Sequence, residues 1–249
     1  MIKFFRKIRQ KMLTENKFSK YLLYAIGEII LVVIGILIAL WINNWNQEQI
    51  LTKQTDALLH NMVLDLKTDT TQFDYNIIRL EKNITGGKLL LQNKPFESIS
   101  ADSLYDLLPT DLIYYRITSQ TFEKFKSIGL TKIGDSQELF NGISSYYTNN
   151  SLILETLVNY DKNESIETNN LWVLDDEFEA PSFDEGFGPY LDNEIIRKNT
   201  LVKLVSSIKS RNHIRQTLSR KSLLVRVIKS RKKDAESLIS SIQEELNKK

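Results

Sequence analysis

The sequence predicts an all-α protein, with one N-terminal transmembrane helix that continues into an extracytoplasmic antiparallel helical bundle. Three observations lead to that fold class. Residues 21–42, YLLYAIGEIILVVIGILIALWI, are apolar apart from Glu28. Long stretches after them repeat apolar residues at three- and four-residue steps. The 249 residues include only nine Gly and four Pro, a spacing of breakers that favours helix over sandwich or barrel.

The apolar run comes first because the rest is placed relative to it. Its 22 residues make a helix of roughly 33 Å, enough for a hydrocarbon core of about 30 Å. Seven cations (Lys3, Arg6, Lys7, Arg9, Lys11, Lys17, Lys20) precede it, whereas residues 43–60 hold only Lys53. The excess of cations marks the cytoplasmic side, so everything after Ile42 is expected outside. Tyr21 and Tyr24 at one end, with Trp41 and Trp45 at the other, suit interfacial aromatic belts. The run is long for a signal-peptide core and no small-x-small site follows it, so an uncleaved signal-anchor is expected.

Residues 1–20 are basic and amphipathic, with Ile2, Phe5, Ile8 and Met12 at helical spacing. They suit an anionic membrane surface, or serve only to set topology. Within the span, Glu28, Gly35 and Ala39 share one face. A small-xxx-small pair beside one polar group is the surface that helices use to associate in lipid. The lipid bilayer, and a second copy or a membrane-protein partner, are the expected partners. The competing reading is a monomeric helix whose Glu28 snorkels to the headgroups.

The stretch KYLLYAIGEIILVVIGILIALWINNWN, preceded by MIKFFRKIRQKMLTENKFSKY, closely resembles the N-terminal signature of a family of single-span membrane proteins from one phylum of Gram-negative bacteria. A Phe-x-x-x-x-Ser-x-Gly-Leu stretch (Phe122 to Leu130) and Ser145-Tyr-Tyr147 resemble it more loosely. The resemblance implies an inner-membrane protein with its N-terminus in the cytoplasm, a periplasmic helical domain and no assigned activity. It supplies no catalytic residues. The family is expected to carry Gln more often where this chain has Trp41, which gives this chain a heavier outer belt.

After the span a long helix is expected over 43–85, within a domain of 43–249. Leu51, Leu58, Met62, Leu66, Phe73, Ile77, Leu80 and Ile84 form its ladder, Asp69 weakens that ladder locally, and Gly86-Gly87 ends or kinks it. Short helices are expected within 101–160: Ala101 to Leu108, Ser119 to Ile128 stopped by Gly129, one opened by an Asp135-Ser-Gln-Glu138 capping box, and Ser151 to Tyr160. The aromatics Tyr114, Tyr115, Phe122, Phe125, Phe140, Tyr146 and Tyr147 are read as core rather than a ligand pocket. Residues 161–190 read as an acidic loop. Its carboxylates lack the EF-hand spacing, so no metal site is assigned.

The last segment, 191–247, reads as one long basic helix or two nearly collinear ones. Between Glu194 and Asp234 lie 13 cations and no acid. Lys203, Lys209, Arg211, Arg215, Arg220, Lys221 and Arg226 represent this basic face. A basic helix suits nucleic acid, but the expected extracytoplasmic placement argues against that partner. Two readings remain: neutralisation by the acidic segment, within or between chains, or contact with anionic lipid, envelope polymer or an acidic partner.

No cysteine is present, which excludes disulfides, thiolate chemistry, zinc–cysteine sites and iron–sulfur clusters. The two histidines, His60 and His213, are far apart. No His-Glu-x-x-His pair, nucleophile elbow, phosphate loop or dinucleotide fingerprint occurs. The expectation is a non-enzymatic interaction or structural module, oligomeric and without cofactor. The alternative is a ligand- or partner-sensing accessory subunit that signals through the membrane helix.

Overall fold

The structure is a computed structural model that describes residues 18–92, 96, 98–129, 133, 136–182, 187 and 190–248, the side chains of 18–21 and 150 aside. The basic segment 1–17, the Tyr21 ring, Asp135, and Asp184 and Glu185 of the acidic stretch lie outside the described residues. The described residues are helical with no strand; an isolated bridge joins Ile133 and Ser136. The helices are α1 (Phe18–Leu90), α2 (Ala101–Tyr105), α3 (Gln120–Ser127), α4 (Gln137–Ser145), α5 (Ser151–Val173), α6 (Glu194–Ser206) and α7 (Ile208–Asn247). A π-helical turn, Tyr146–Asn150, joins α4 to α5.

The chain divides into two units, Met1–Ala57 and Leu58–Lys249, and α1 contributes to both. In the first unit the apolar side chains face outward: Leu23 is 78 % exposed and Leu31 73 %. Gly27 and Gly35 have nothing within 4 Å of a built Cβ. One window near the N-terminus is long and apolar enough to cross a membrane. A helix that is apolar on every side and buries none of it in protein is not the core helix of a water-soluble unit.

The second unit is built on a seam. Among the buried positions of α1, Leu59, Met62, Leu66, Asp69, Phe73, Asn76, Leu80, Asn83, Gly87 and Leu90 recur in steps of alternately three and four, with Thr55, Val63, Ile77 and Gly86 buried beside them. On α7 Ser210, Ile214, Thr217, Lys221, Leu224, Ile228, Ala235, Leu238, Ile242 and Glu245 are buried and keep the same register. That 3.5-residue period holds one face of each helix against its neighbour. Glu81 meets Lys229 and Asp74 meets Lys232, so residue numbers rise along one helix as they fall along the other.

Other helices close over this pair. Leu139 and Ile143 of α4 join Met62, Leu66, Leu238 and Ile242 in one cluster. Leu154 and Val158 of α5 join Phe73, Leu80, Leu224 and Ile228 in a second. Trp172 and Phe178 join Leu90, Leu104, Leu201 and Ile214 in a third.

Several expectations are corrected here. The Gly86-Gly87 pair does not end α1, which runs on to Leu90. The glycines instead permit close approach: a Cβ on Gly86 would lie 2.6 Å from the Leu107 carbonyl oxygen, and one on Gly87 2.6 Å from a Leu218 methyl. Of the expected α1 ladder, Met62, Leu66, Phe73, Ile77 and Leu80 are buried, whereas Leu51 is exposed and Leu58 and Ile84 are half-buried. The N-cap of α4 is Ser136, whose hydroxyl accepts from the Leu139 N–H. α5 runs to Val173, so the first thirteen residues of the expected acidic loop are helical. The basic segment is two helices, broken where Ser207 turns extended (ψ 148°) and caps α7 through the Ser210 N–H. Gly129, at φ 69°, follows α3 where a left-handed residue is needed. Most of the aromatic cluster packs in the first two cores, but Tyr114 is 66 % exposed.

Candidate functional site

Between α2 and α3, residues 109–118 form no helix or strand. A segment of this kind needs its buried backbone groups satisfied from elsewhere. The polar residues of the α1 seam do this. Asp69 Oδ1 accepts from the Thr118 N–H at 3.0 Å, and the Asn76 side-chain amide donates to the Tyr114 carbonyl at 3.1 Å. The Asn83 amide donates to Asp111 Oδ2 at 2.8 Å and accepts from the Asp111 N–H at 3.1 Å. These three side chains are seven residues apart, so they stack on one face of α1.

The spacing closes arithmetically. From Asp69 to Asn83 the helix rises about 21 Å. From Thr118 back to Asp111 an extended chain covers roughly 23 Å. Residues 109–118 are therefore a strap drawn out along α1 in the opposite direction. Two further helices hold its other end. The Asn169 amide of α5 donates to the Thr110 carbonyl at 3.1 Å, and Lys221 Nζ of α7 donates to the Asp111 carbonyl at 2.8 Å.

Lys221 is wholly buried and also meets Asp161, itself 1 % exposed, at 3.4 Å. Arg220 donates to the other Asp161 oxygen at 3.3 Å and to Thr217. Burial pushes the Lys221 ammonium below its usual range, while the Asp161 charge pulls it back up. Asp69 is raised above the usual carboxylate range by burial, despite the Thr118 N–H and the Tyr146 hydroxyl that donate to it. Burial, reinforced by the Asp69 charge, raises the Tyr146 and Tyr147 hydroxyls, and burial pushes Tyr115 up to about 12. Asp69 and Lys221 are 2 % and 0 % exposed, so a substrate has no route to them. Their chemistry is structural: they satisfy the strap.

Beside the strap lies an open cleft of about 810 Å³. Arg79, Asp106, Asp111, Tyr114, Asn169 and Phe178 supply its distinctive groups. Arg79 lies 3.4 Å from Asp111 and over the Tyr75 ring, 5.6 Å from its centre.

The membrane-helix residues lie in the first unit: Glu28 and Tyr24 are half-buried, while Ala39, Trp41 and Trp45 are exposed. The basic residues disperse. Lys203 pairs with Glu177, Arg220 and Lys221 with Asp161, Arg211 donates to the Leu91 carbonyl, and Arg215 to Asn212. Lys209 and Arg226 are exposed. Of these cations, Arg220 and Lys221 are met by Asp161 of α5 and Lys203 by Glu177 of the acidic stretch, while the α1 acids Glu81 and Asp74 meet Lys229 and Lys232 further along α7. Sequence reading missed Arg197, which is 2 % exposed, bonded to Asp102 at 2.8 Å, with its guanidinium carbon 3.3 Å from the Tyr190 ring centre. It also missed the strap. The seven-residue recurrence of Asp69, Asn76 and Asn83 was the signal that could have found it. Among the described residues no three acids or histidines gather as metal ligands.

Residues 28–133 match a family of unknown function (DUF6090). The match begins within the apolar segment, takes in the whole strap with the three α1 residues that hold it, and stops short of α4 to α7. It includes Phe122 to Leu130 but not Ser145 to Tyr147. No curated protein and no solved structure matches the chain.

Proposed function

We propose that this is a single-span inner-membrane protein. Its C-terminal unit is an extracytoplasmic helical module that acts by interaction rather than catalysis. The observation that carries the reading is the contrast along α1. Its first part exposes apolar side chains on every side, and its second part is buried along a strict seam. A stretch that would be insoluble alone, joined to a unit that packs as a water-soluble one, is what an anchored module requires. The positive flank before the span supports an N-terminus in the cytoplasm, and self-association through Glu28, Gly35 and Ala39 is part of the proposal.

A reporter that folds only outside the cytoplasm, fused after Lys249, tests the topology. Activity of a cytoplasm-only reporter at that position would overturn it. Self-association is read by crosslinking in detergent, where Glu28→Ala is expected to reduce the crosslinked dimer. An unchanged yield removes the membrane-helix interface. The accessory-sensor reading draws its support from the cleft beside the strap.

A further inference from the structure

The strap leaves the main chain of Leu112 open. In extended backbone, successive residues present their N–H and C=O to opposite sides. Asp111 gives its N–H to Asn83 and its carbonyl to Lys221, so the neighbouring Leu112 turns its own away from them, and Leu112 lines the cleft; the Tyr114 carbonyl is back on α1, at Asn76. Among the described residues nothing bonds the Leu112 N–H or carbonyl. The Asn169 amide is oriented by its donation to Thr110, so its oxygen is fixed as an acceptor; that oxygen is buried and accepts from no described group. A buried acceptor without a donor is destabilising, and a ligand N–H offsets that cost. The cleft therefore has a main-chain edge and a fixed acceptor side by side.

Its charge and apolar surface narrow the occupant. Arg79 is engaged by Asp111, and Glu179 accepts from the Leu191 N–H. Asp106 is exposed and forms no ion pair among the described residues. Lys162 lies over the Tyr114 ring, 5.7 Å from its centre, and is not among the residues that line the cleft. The interior of the cleft is thus net acidic. Val173, at 54 % exposed, Tyr114, Phe178 and Pro181 line it with apolar surface.

We propose that the cleft between the strap and the end of α5 binds an extended peptide segment that carries a basic side chain flanked by apolar ones. The peptide main chain pairs with Leu112, one of its N–H groups donates to Asn169 Oδ1, its cation meets Asp106, and its apolar side chains cover Val173 and Tyr114. Main-chain pairing supplies affinity and the alternate side chains supply selectivity. This deepens the interaction-module reading and rests on it, yet its failure would leave the topology and crosslinking results untouched.

The test uses full-length protein in detergent and an array of acetylated, amidated pentapeptides with either Lys or Glu fixed at the centre. The Lys set is expected to bind at least tenfold more tightly, with Val, Ile or Leu preferred beside the Lys. Asp106→Asn is expected to abolish the Lys preference, and Val173→Arg to abolish binding to both sets. Both positions are exposed, and unchanged thermal melts of the two variants establish that the fold is intact. Equal retention of both sets, retention unaffected by Val173→Arg, or no retention would each overturn the proposal. Displacement of bound peptide by spermidine at equal concentration would overturn the peptide assignment in favour of a small polyamine.

Discussion

Replacing Asn83 by leucine tests the strap directly. By the usual logic of a helical seam, Leu at a buried position should stabilise. Asn83 is 6 % exposed and makes two hydrogen bonds with Asp111, at 2.8 and 3.1 Å. Leu removes both. The Asp111 N–H is then buried without an acceptor, at a cost of about 1–3 kcal/mol, and the Asp111 carboxylate loses a donor worth about 1.5–3 kcal/mol. The added apolar burial offsets roughly 1.5–3 kcal/mol if the side chain fits. The net expectation is a loss of about 1–3 kcal/mol. For a unit of this size that lowers the melting temperature by roughly 3–10 °C. Asn83→Ala lacks the offset and should cost more. The assay is thermal unfolding of the full-length protein in detergent, followed by circular dichroism. Hydrogen exchange then reads the Asp111 amide, which should lose protection while α1 amides keep theirs. A double-mutant cycle with Asp111→Ala should show a coupling of about 1–3 kcal/mol. An Asn83→Leu protein that melts above the parent, with Asp111 still protected, would refute the claim that the seam's polar residues exist to hold the strap.

Three further outcomes follow from the same geometry. Lys221→Met leaves Asp161 to Arg220 and the Asp111 carbonyl without its donor, and should cost about 1–3 kcal/mol, read by urea denaturation. Gly86→Ala improves helix propensity by about 1 kcal/mol, yet its Cβ would meet the Leu107 carbonyl at 2.6 Å, so a net fall in melting temperature is expected; a rise would mean that Leu107 moves freely. The pH profile should carry two marks. Asp69 is raised above 3.8 in the folded protein, so the folded state binds that proton more tightly, and its contribution falls as pH rises from 3.8 through the folded value. Asp69→Asn keeps an acceptor for Thr118 and should flatten that limb of the melting curve against pH. Tyr115 holds its proton up to about 12 against 10.0 unfolded, so stability should fall again across that window, and Tyr115→Phe should lessen the fall.

Much of the fold was legible in the residues. The apolar run and its flanks, the absence of Pro and Gly between Gly35 and Gly86, and the periodicity of the basic C-terminal stretch lead to long helices without any tertiary information. The misreadings share a cause. Gly86-Gly87 looks like a stop because local preference favours one, but the Leu107 backbone needs the space. Asp69 looks like a flaw in an apolar ladder because a sequence does not display its partner, and that partner, Thr118, lies 49 residues away. Residues 161–173 look like an acidic loop because their carboxylates are read as solvated, whereas Asp161 is enclosed by Arg220 and Lys221.

Local patterns along the chain determined where helices form and which stretch is apolar enough for a membrane, because periodicity and hydropathy are properties of neighbouring residues. Only the tertiary structure decided which polar residues belong inside. Burying Asp69, Asn76, Asn83 or Lys221 is costly unless a distant backbone or charge arrives to meet it. For the three α1 residues the strap is that distant partner; their seven-residue recurrence hints at it, but which segment arrives is settled once the chain has folded back on α1.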